Sequence, residues 1–280
     1  MGKTERVFKT IKYIKYLPKI IFRIKNWPNF ILHYEDLKKG GAEYIFRNGI
    51  RIKTKDTISA ATIAVIFIKN DYGRIFDDSL VIDIGANIGV FSIFATLAKN
   101  TVVYAYEPFS KNFDLLKENI KLNKLENRIF PFNFGLAAKK EKRRLYLGES
   151  PFHSFLPAKE SPFNALYGNF EENQKQKYSE INCISLKDVF EENKIDSCDI
   201  LKIDCEGAEY EILYNLPDEY FKKIKEIRLE YHNHLNNKKN TGDFLKRFLE
   251  EKGFVVLENK KTSNFQGNLW FKKKYELRYT

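Results

Sequence analysis

The chain has 280 residues, 43% of them hydrophobic, with 24 Phe and 16 Tyr; that is enough apolar surface for a packed core and excludes disorder as its overall state. No apolar run reaches the roughly 18 residues that a membrane span needs and no secretory signal is recognisable, so a cytoplasmic protein is expected. The formal charge of +11 favours acidic partners without choosing among nucleic acid, anionic lipid and phosphorylated substrates, while Cys183, Cys198 and Cys205, with no CxxC pair, argue against disulfides or zinc.

Residues 1–39 carry ten lysines and arginines against three acids. Within them Phe8, Ile11, Ile14, Leu17, Ile21 and Ile24 recur at steps of three and four, an amphipathic helical period with lysines between. Pro18 must kink or split that helix. Residues 1–45 thus read as a basic amphipathic helical extension. It either packs on the body with its lysines in water or lies peripherally on an anionic membrane surface through residues 1–40. Trp27, Phe22 and Phe30 suit both.

The body, residues 46–280, opens with a helix over Ile58–Lys69. A strand–helix alternation starts at residue 80. Leu80–Ile84 is a buried strand, Val90–Ala98 a helix, Thr101–Tyr106 a strand, and Ser110 an N-cap for a helix to Leu122. A strand follows over Ile129–Phe134. Arg144–Leu147 reads as a short strand, and 148–178, rich in Ser, Pro, Asn and Lys, as an inserted loop of the kind that is often functional. Leu186–Glu192 is a helix, Asp199–Asp204 a strand, Ala208–Leu216 a helix and Lys225–Tyr231 a strand. Phe244–Lys252 is a helix stopped by Gly253. Phe254–Glu258 and Asn268–Lys272 form a closing antiparallel pair. This order predicts an α/β fold with a mostly parallel sheet and helices on both faces.

The chemistry concentrates at strand ends. Asp83-Ile-Gly85-Ala86-Asn87-Ile-Gly89 sits at a strand-to-helix junction. Gly85 permits a tight turn against a ligand, Gly89 lets the helix approach the strand, and the backbone N–H groups there face an anionic group. Asp83 is placed to bind a polar ligand directly or through water. Glu107, 22 residues after Gly85, ends the next strand, where an acid accepts both ribose hydroxyls. Ala86, Asn87 and, near the end of the third strand, Asn133 complete the candidate cofactor set. Because Asn87 replaces a glycine of GxGxxG, a pyrophosphate is crowded and NAD disfavoured. A nucleoside with an amino-acid tail, S-adenosylmethionine, fits better.

Several stretches in order resemble the FkbM-type methyltransferases: Val81–Gly89; Glu107-Pro108; Asn112-Phe113 with Leu116, Asn119 and Asn123; Ile184–Asp188; Asp199–Glu209; and Glu230-Tyr-His232. The resemblance covers residues 50–258. It implies a class I methyltransferase sheet, Rossmann-like and mostly parallel, with S-adenosylmethionine as donor and an oxygen acceptor on a sugar or other metabolite. Residues 1–45 lie outside it. The loop 148–178 is poorly matched and is where acceptor choice could reside.

Asp204, Glu206 and Glu209 surround Gly207 at another strand end. Glu206 and Glu209 suit a helix N-terminus, whereas Asp204 at a buried strand end needs a partner. Glu230 and His232 share a strand face. Methyl transfer to an alcohol requires loss of the hydroxyl proton, so His232 is the first candidate base, Asp204 the second, and Glu230 an orienting group. Asp204, Glu206, Glu230 and His232 are an oxygen-rich set for Mg²⁺, but no spacing is diagnostic and no metal is expected. Lys202 would tune a carboxylate or form a buried ion pair, and His153 would touch the acceptor or solvent. The leading expectation is an O-methyltransferase acting on a sugar, glycan or related small molecule. An RNA 2′-O-methyltransferase, a NAD-dependent oxidoreductase and a non-catalytic nucleoside-binding module are the alternatives. Nucleic acid is disfavoured because the lysines concentrate outside the body and no aromatic RNA-binding motif is present.

Overall fold

A computed structural model describes residues 15–56, 58–147, 154–155, 178–234 and 237–278. Helices α1 (Leu17–Arg23) and α2 (Trp27–Tyr34) each carry a proline in the first turn. Pro18 lies in the first turn of α1, where its missing N–H has no intrahelical partner to lose. The expected apolar stripe also shifts. Ile20 and Ile24 are buried, whereas Ile21 and Phe22 face outward; the part of the stripe before residue 15 lies outside the described residues. Strands β1 (Glu43–Ile45) and β2 (Arg51–Lys53) form a hairpin, and Ile24 bridges to Phe46. The boundary expected after residue 45 thus falls at the end of a paired strand. Ile24, Phe30 and Tyr44 share one hydrophobic cluster with Phe67, Phe91 and Leu116.

Helix α3 (Ile58–Ile63) continues as a π-helical segment, Ala64–Lys69, ended by Asn70 in the left-handed region at φ +61°. Next come β3 (Leu80–Ile84), α4 (Val90–Ala95), β4 (Val102–Tyr106), α5 (Ser110–Leu122) and β5 (Ile129–Phe132). Phe109, not Ser110, is the N-cap of α5, and no side chain caps it. Then follow β6 (Gly135–Ala137), β7 (Glu141–Leu147), β8 (Ser154–Phe155), β9 (Tyr178–Ser185) and α6 (Leu186–Glu192). The last of these begins with a capping box in which Ser185 and Asp188 satisfy each other's backbone N–H. The chain closes with β10 (Cys198–Ile203), α7 (Glu209–Tyr214), α8 (Asp218–Phe221), β11 (Ile224–His232), α9 (Gly242–Glu251), β12 (Phe254–Lys261), β13 (Gln266–Lys273) and a 3₁₀ turn.

The central sheet has the order β12-β13-β11-β10-β3-β4-β5. Neighbours from β11 to β5 run parallel, and β13 lies antiparallel to both β11 and β12. Its strands read as near-continuous apolar runs because both faces are covered. Val81, Val103 and Ile200 point into one cluster, and Ile82, Leu201, Ile227 and Leu229 into the other. A second sheet, β6-β9-β7-β8, stands beside the first. Arg143 on β7 fastens it to α7 through two bonds to Glu211 (2.7 and 2.5 Å). Of the expected loop 148–178, only Ser154, Phe155 and Tyr178 are among the described residues; the first two pair with β7 and Tyr178 opens β9. His153 lies outside them.

Candidate active site

The first turn after β3 requires its glycines. Gly85 has φ +73°, and a Cβ there would lie 1.8 Å from the Asp204 carbonyl oxygen; Gly89 has φ +86°, and its Cβ would lie 2.5 Å from Leu116 Cδ1. Asn87 adopts φ +52°, a conformation Asn tolerates better than most residues. The Gly85 and Ala86 amides both donate to Tyr106 O at 3.0 Å. Glu107 ties the turn to the tip of β4: it accepts from the Asn87 amide and the Phe109 amide, each at 2.9 Å. Burial pushes its carboxyl up to about 7, against the pull of those two amides.

Two expected ligand contacts prove to be framework. Asp83 is fully buried and does not line the cavity. It pairs with Lys202 Nζ at 3.0 Å and accepts from Ser92 Oγ at 2.6 Å. Lys202 in turn donates to Gly85 O at 2.9 Å, so Asp83 supports the turn from beneath through Lys202. Burial alone would lower the Lys202 pKa, but Asp83 and Asp204 outweigh it and the value rises. Asn133 likewise points its amide at the chain, donating to Glu107 O (2.8 Å) and Pro108 O (3.0 Å). It fixes the glutamate's backbone instead of meeting a ligand. Asn119 and Asn123, part of the resemblance, are also pins: both bond the backbone of β2, and Asn119 holds Ile88 O at 2.9 Å.

A cavity of about 350 Å³ opens at the carboxyl ends of β3, β4, β10 and β11, the edge where ligands collect in open α/β sheets. Register explains the convergence: Ile84 sits opposite both Tyr106 and Ile203, so Gly85, Glu107 and Asp204 follow from one level of the sheet. Four acids line it, Glu107, Asp204, Glu206 and Glu230, with Lys202 the only basic side chain among the described lining residues. Tyr72 donates to Asp204 Oδ2 at 3.1 Å. Its backbone is held by Arg228, which donates to Tyr72 O and Arg74 O (2.5 and 2.9 Å). Thr62, Val65 and Ile66 from α3 and its continuation form one wall; Phe134, Leu145 and Ile181, the last two from the second sheet, form another. None of these wall residues carries a motif. The only signal available was the expected helix 58–69, whose inward face the periodicity did not resolve.

Asp204 and Glu230 stand in the cavity as expected, but His232 does not. It is buried between Glu206 (Nε2 to Oε2, 3.4 Å) and Glu209 (Nδ1 to Oε1, 3.5 Å), and its amide donates to Glu209 Oε1 at 2.6 Å. Burial alone would lower the imidazole pKa. The carboxylates of Glu209, Glu206 and Glu230 overcome this and push it up to about 10. With both ring nitrogens turned to glutamates and the ring outside the cavity lining, His232 is not placed to accept a proton from substrate, which corrects its expected role as first base. The cavity carboxyls also move up, but here burial is the cause: it pushes Glu206 up to about 7 and Glu230 to about 8, with neighbouring acids adding to the rise. Gln266 Nε2 donates to Glu230 Oε1 at 3.2 Å. The set Asp204, Glu206, Glu230 and His232 does not converge on a cation, because the imidazole is spent on glutamates; among the described residues no three His, Cys, Asp or Glu side chains are placed to hold a metal.

A parallel sheet closed by an antiparallel strand, a glycine turn at the central strand and an acid ending its neighbour together define a class I methyltransferase, as the resemblance implied. Residues 83–256 match the family described as Methyltransferase FkbM domain. The chain belongs to this family. It is 28% identical over 199 residues to Methyltransferase 1 of Beauveria bassiana, covering 64% of this chain and 74% of that protein. It is 27% identical over 219 residues to the AMB antimetabolite synthetase AmbE of Pseudomonas aeruginosa, covering 68% of this chain but only 10% of AmbE. The crystal structure of methyltransferase FkbM from Methylobacillus flagellatus aligns with a TM-score of 0.48 at 16% identity, over 75% of this chain and 47% of that one. Tyr72, Thr62, Val65 and Ile66 all precede the matched segment.

Proposed function

We propose that the protein transfers a methyl group from S-adenosylmethionine to a hydroxyl of a sugar, glycan or related polyhydroxylated metabolite. The observation that carries this reading is the convergence of Glu107, Asp204 and Glu230 on one cavity. Each Glu107 oxygen accepts one backbone amide and keeps a lone pair, which suits the two hydroxyls of a ribose. The volume falls in the roughly 300–1,000 Å³ range of small-molecule sites. The acidic lining favours a cationic donor and opposes the pyrophosphate of NAD and the phosphates of RNA.

The donor, when bound, supplies a sulfonium methyl open to attack from the side opposite sulfur. The remaining work falls to the chain. Glu230 lies at the acid-lined end and, with its carboxyl pushed to about 8, is suited to take the hydroxyl proton once a cationic neighbour draws it into the ionised form. Asp204, fixed by the Tyr72 hydroxyl, orients the attacking oxygen. His232 is a positioning residue: its charge offsets Glu206 and Glu209 and holds the 204–209 turn. The acceptor end presents carboxylates, so it suits a ligand rich in hydroxyl donors and free of phosphate near the reacting oxygen.

Calorimetric titration with S-adenosylhomocysteine, NADH and a short RNA tests the donor. Saturable binding of S-adenosylhomocysteine alone is expected. Binding of NADH without S-adenosylhomocysteine would overturn the reading. Transfer of labelled methyl to a panel of polyols, with nitrogen and carbon acceptors alongside, tests the oxygen; labelling confined to the latter refutes it.

A further inference from the structure

Helix α1 shows two different faces. Ile20 and Ile24, four residues apart, are buried against the body. Away from that buried side, Lys19 and Phe22 on the helix and Lys15 and Lys25 just beyond its two ends are all exposed. Phe22 is 79% exposed and Ile21 beside it 36%. Arg47 joins this surface: its backbone amide donates to Arg23 O at 2.8 Å and its side chain to Ile21 O at 3.2 Å. Between residues 15 and 34 the sequence contains no acid. The helix is held in place, since Arg23 donates to Phe67 O and the Lys25 amide to Ile45 O at 2.7 Å. An ordinary solvated helix face is dominated by polar and charged groups. A large aromatic ring standing out among lysines is the pattern of a segment that seats its ring at the headgroup boundary while its cations meet anionic headgroups.

We propose that the outer face of α1, centred on Phe22 and rimmed by Lys15, Lys19, Lys25 and Arg47, docks the protein on an anionic lipid membrane. This surface stands apart from the donor and acceptor assigned above and is tested without them. The charge rim gives attraction and the ring gives depth, so both contribute. A polyanion such as RNA would use the rim alone and gain little from an aliphatic and aromatic centre of Ile21 and Phe22.

The test is co-sedimentation of the full-length protein with vesicles of phosphatidylcholine containing phosphatidylglycerol, and with phosphatidylcholine alone. Recovery with the anionic vesicles only is expected. Phe22→Ser should weaken partitioning on the order of ten-fold and Lys19→Glu by at least about five-fold, whereas Phe22→Trp should retain it. All three should keep the wild-type melting temperature and S-adenosylhomocysteine affinity, which separates failure of the surface from failure of the fold or of the donor site. Two results would overturn the proposal: no recovery of wild type with anionic vesicles, or equal recovery of Phe22→Ser and wild type. Tight RNA binding that depends on Lys19 and ignores Phe22, without vesicle binding, would reassign the surface to a polyanion.

Discussion

The outer face of α1 and the cavity at the sheet edge carry opposite charge under opposite rules. On α1 the lysines stand in water, where like charges cost little and are screened. In the cavity four acids share one lining with Lys202, and burial pushes three, Glu107, Glu206 and Glu230, to about 7, 7 and 8. The net charge of +11 therefore describes the surface and misdescribes the site. A basic protein can hold a site built for cations and hydroxyls, because net charge is set by residue counts and a site by which few residues are desolvated together.

The largest expected effect tests whether the cavity acids do chemistry or merely bind. Glu230→Gln keeps the shape and the bond to Gln266 but removes the proton acceptor. Turnover should fall by about 10²–10⁴-fold with S-adenosylhomocysteine affinity changed only a few-fold. Retained turnover would hand the proton to Asp204. Glu107→Gln should instead strike affinity. A hydrogen bond to a charged group contributes about 1.5–3 kcal/mol, so donor binding should weaken about 10- to 100-fold by calorimetry. Affinity unchanged in that variant would move the ribose elsewhere.

The contrast between the two regions was only half visible in the amino-acid sequence. The central strands were legible because both their faces are covered, and Leu80–Ile84 or Cys198–Ile203 shows as a mostly apolar run broken only by Asp83 in the first and by Asp199 and Lys202 in the second. The second sheet was not, because β9 alternates exposed Glu180 and Asn182 with buried Ile181 and Cys183 inside a polar stretch, and β6 is three residues long. Gly85 and Glu107 could be read because a tight turn and an adjacent strand tip constrain residue type locally. Tyr72 could not: it meets Asp204 from 132 positions away, with no motif around it. His232 was placed on the correct face beside Glu230, but its function depends on Glu209, which α7 brings over it. Alternation fixes direction along a strand and says nothing of what closes above.

Next in size is the response to pH. Glu107, Glu206 and Glu230 have folded values above the ordinary 4.5, so the stability they contribute is complete below 4.5 and is lost as pH rises through about 7–8. His232 has the same sign: its contribution is complete below 6.5 and is lost as pH climbs through about 10. The ligand-free protein should therefore melt at progressively lower temperature from pH 6 to pH 9. A sulfonium should oppose this by favouring the ionised acids. S-Adenosylmethionine affinity should rise by up to about ten-fold per proton released per pH unit between pH 6 and 8, and that of the uncharged thioether, S-adenosylhomocysteine, should rise less. Equal pH dependence for the two ligands would show that the raised carboxyls do not sense the donor's charge.

The smallest effect is the sharpest test of the separation itself. If the two regions obey different rules, salt should distinguish them. Raising ionic strength from about 0.1 M to about 1 M shortens the screening length from roughly 10 Å to roughly 3 Å. Charges on α1 are exposed, so their attraction to anionic vesicles should collapse across that range. Charges lining the cavity interact with those packed behind it through protein rather than through solvent: Lys202 reaches Asp83 at 3.0 Å with both side chains buried, and His232 lies within 3.5 Å of Glu206 and Glu209. Mobile ions cannot enter those gaps. S-Adenosylhomocysteine affinity, measured by calorimetry in the same buffers, should therefore change by less than about two-fold. A donor affinity that fell in step with vesicle binding would mean that the cavity acids are open to solvent ions, and that burial is not what raises them.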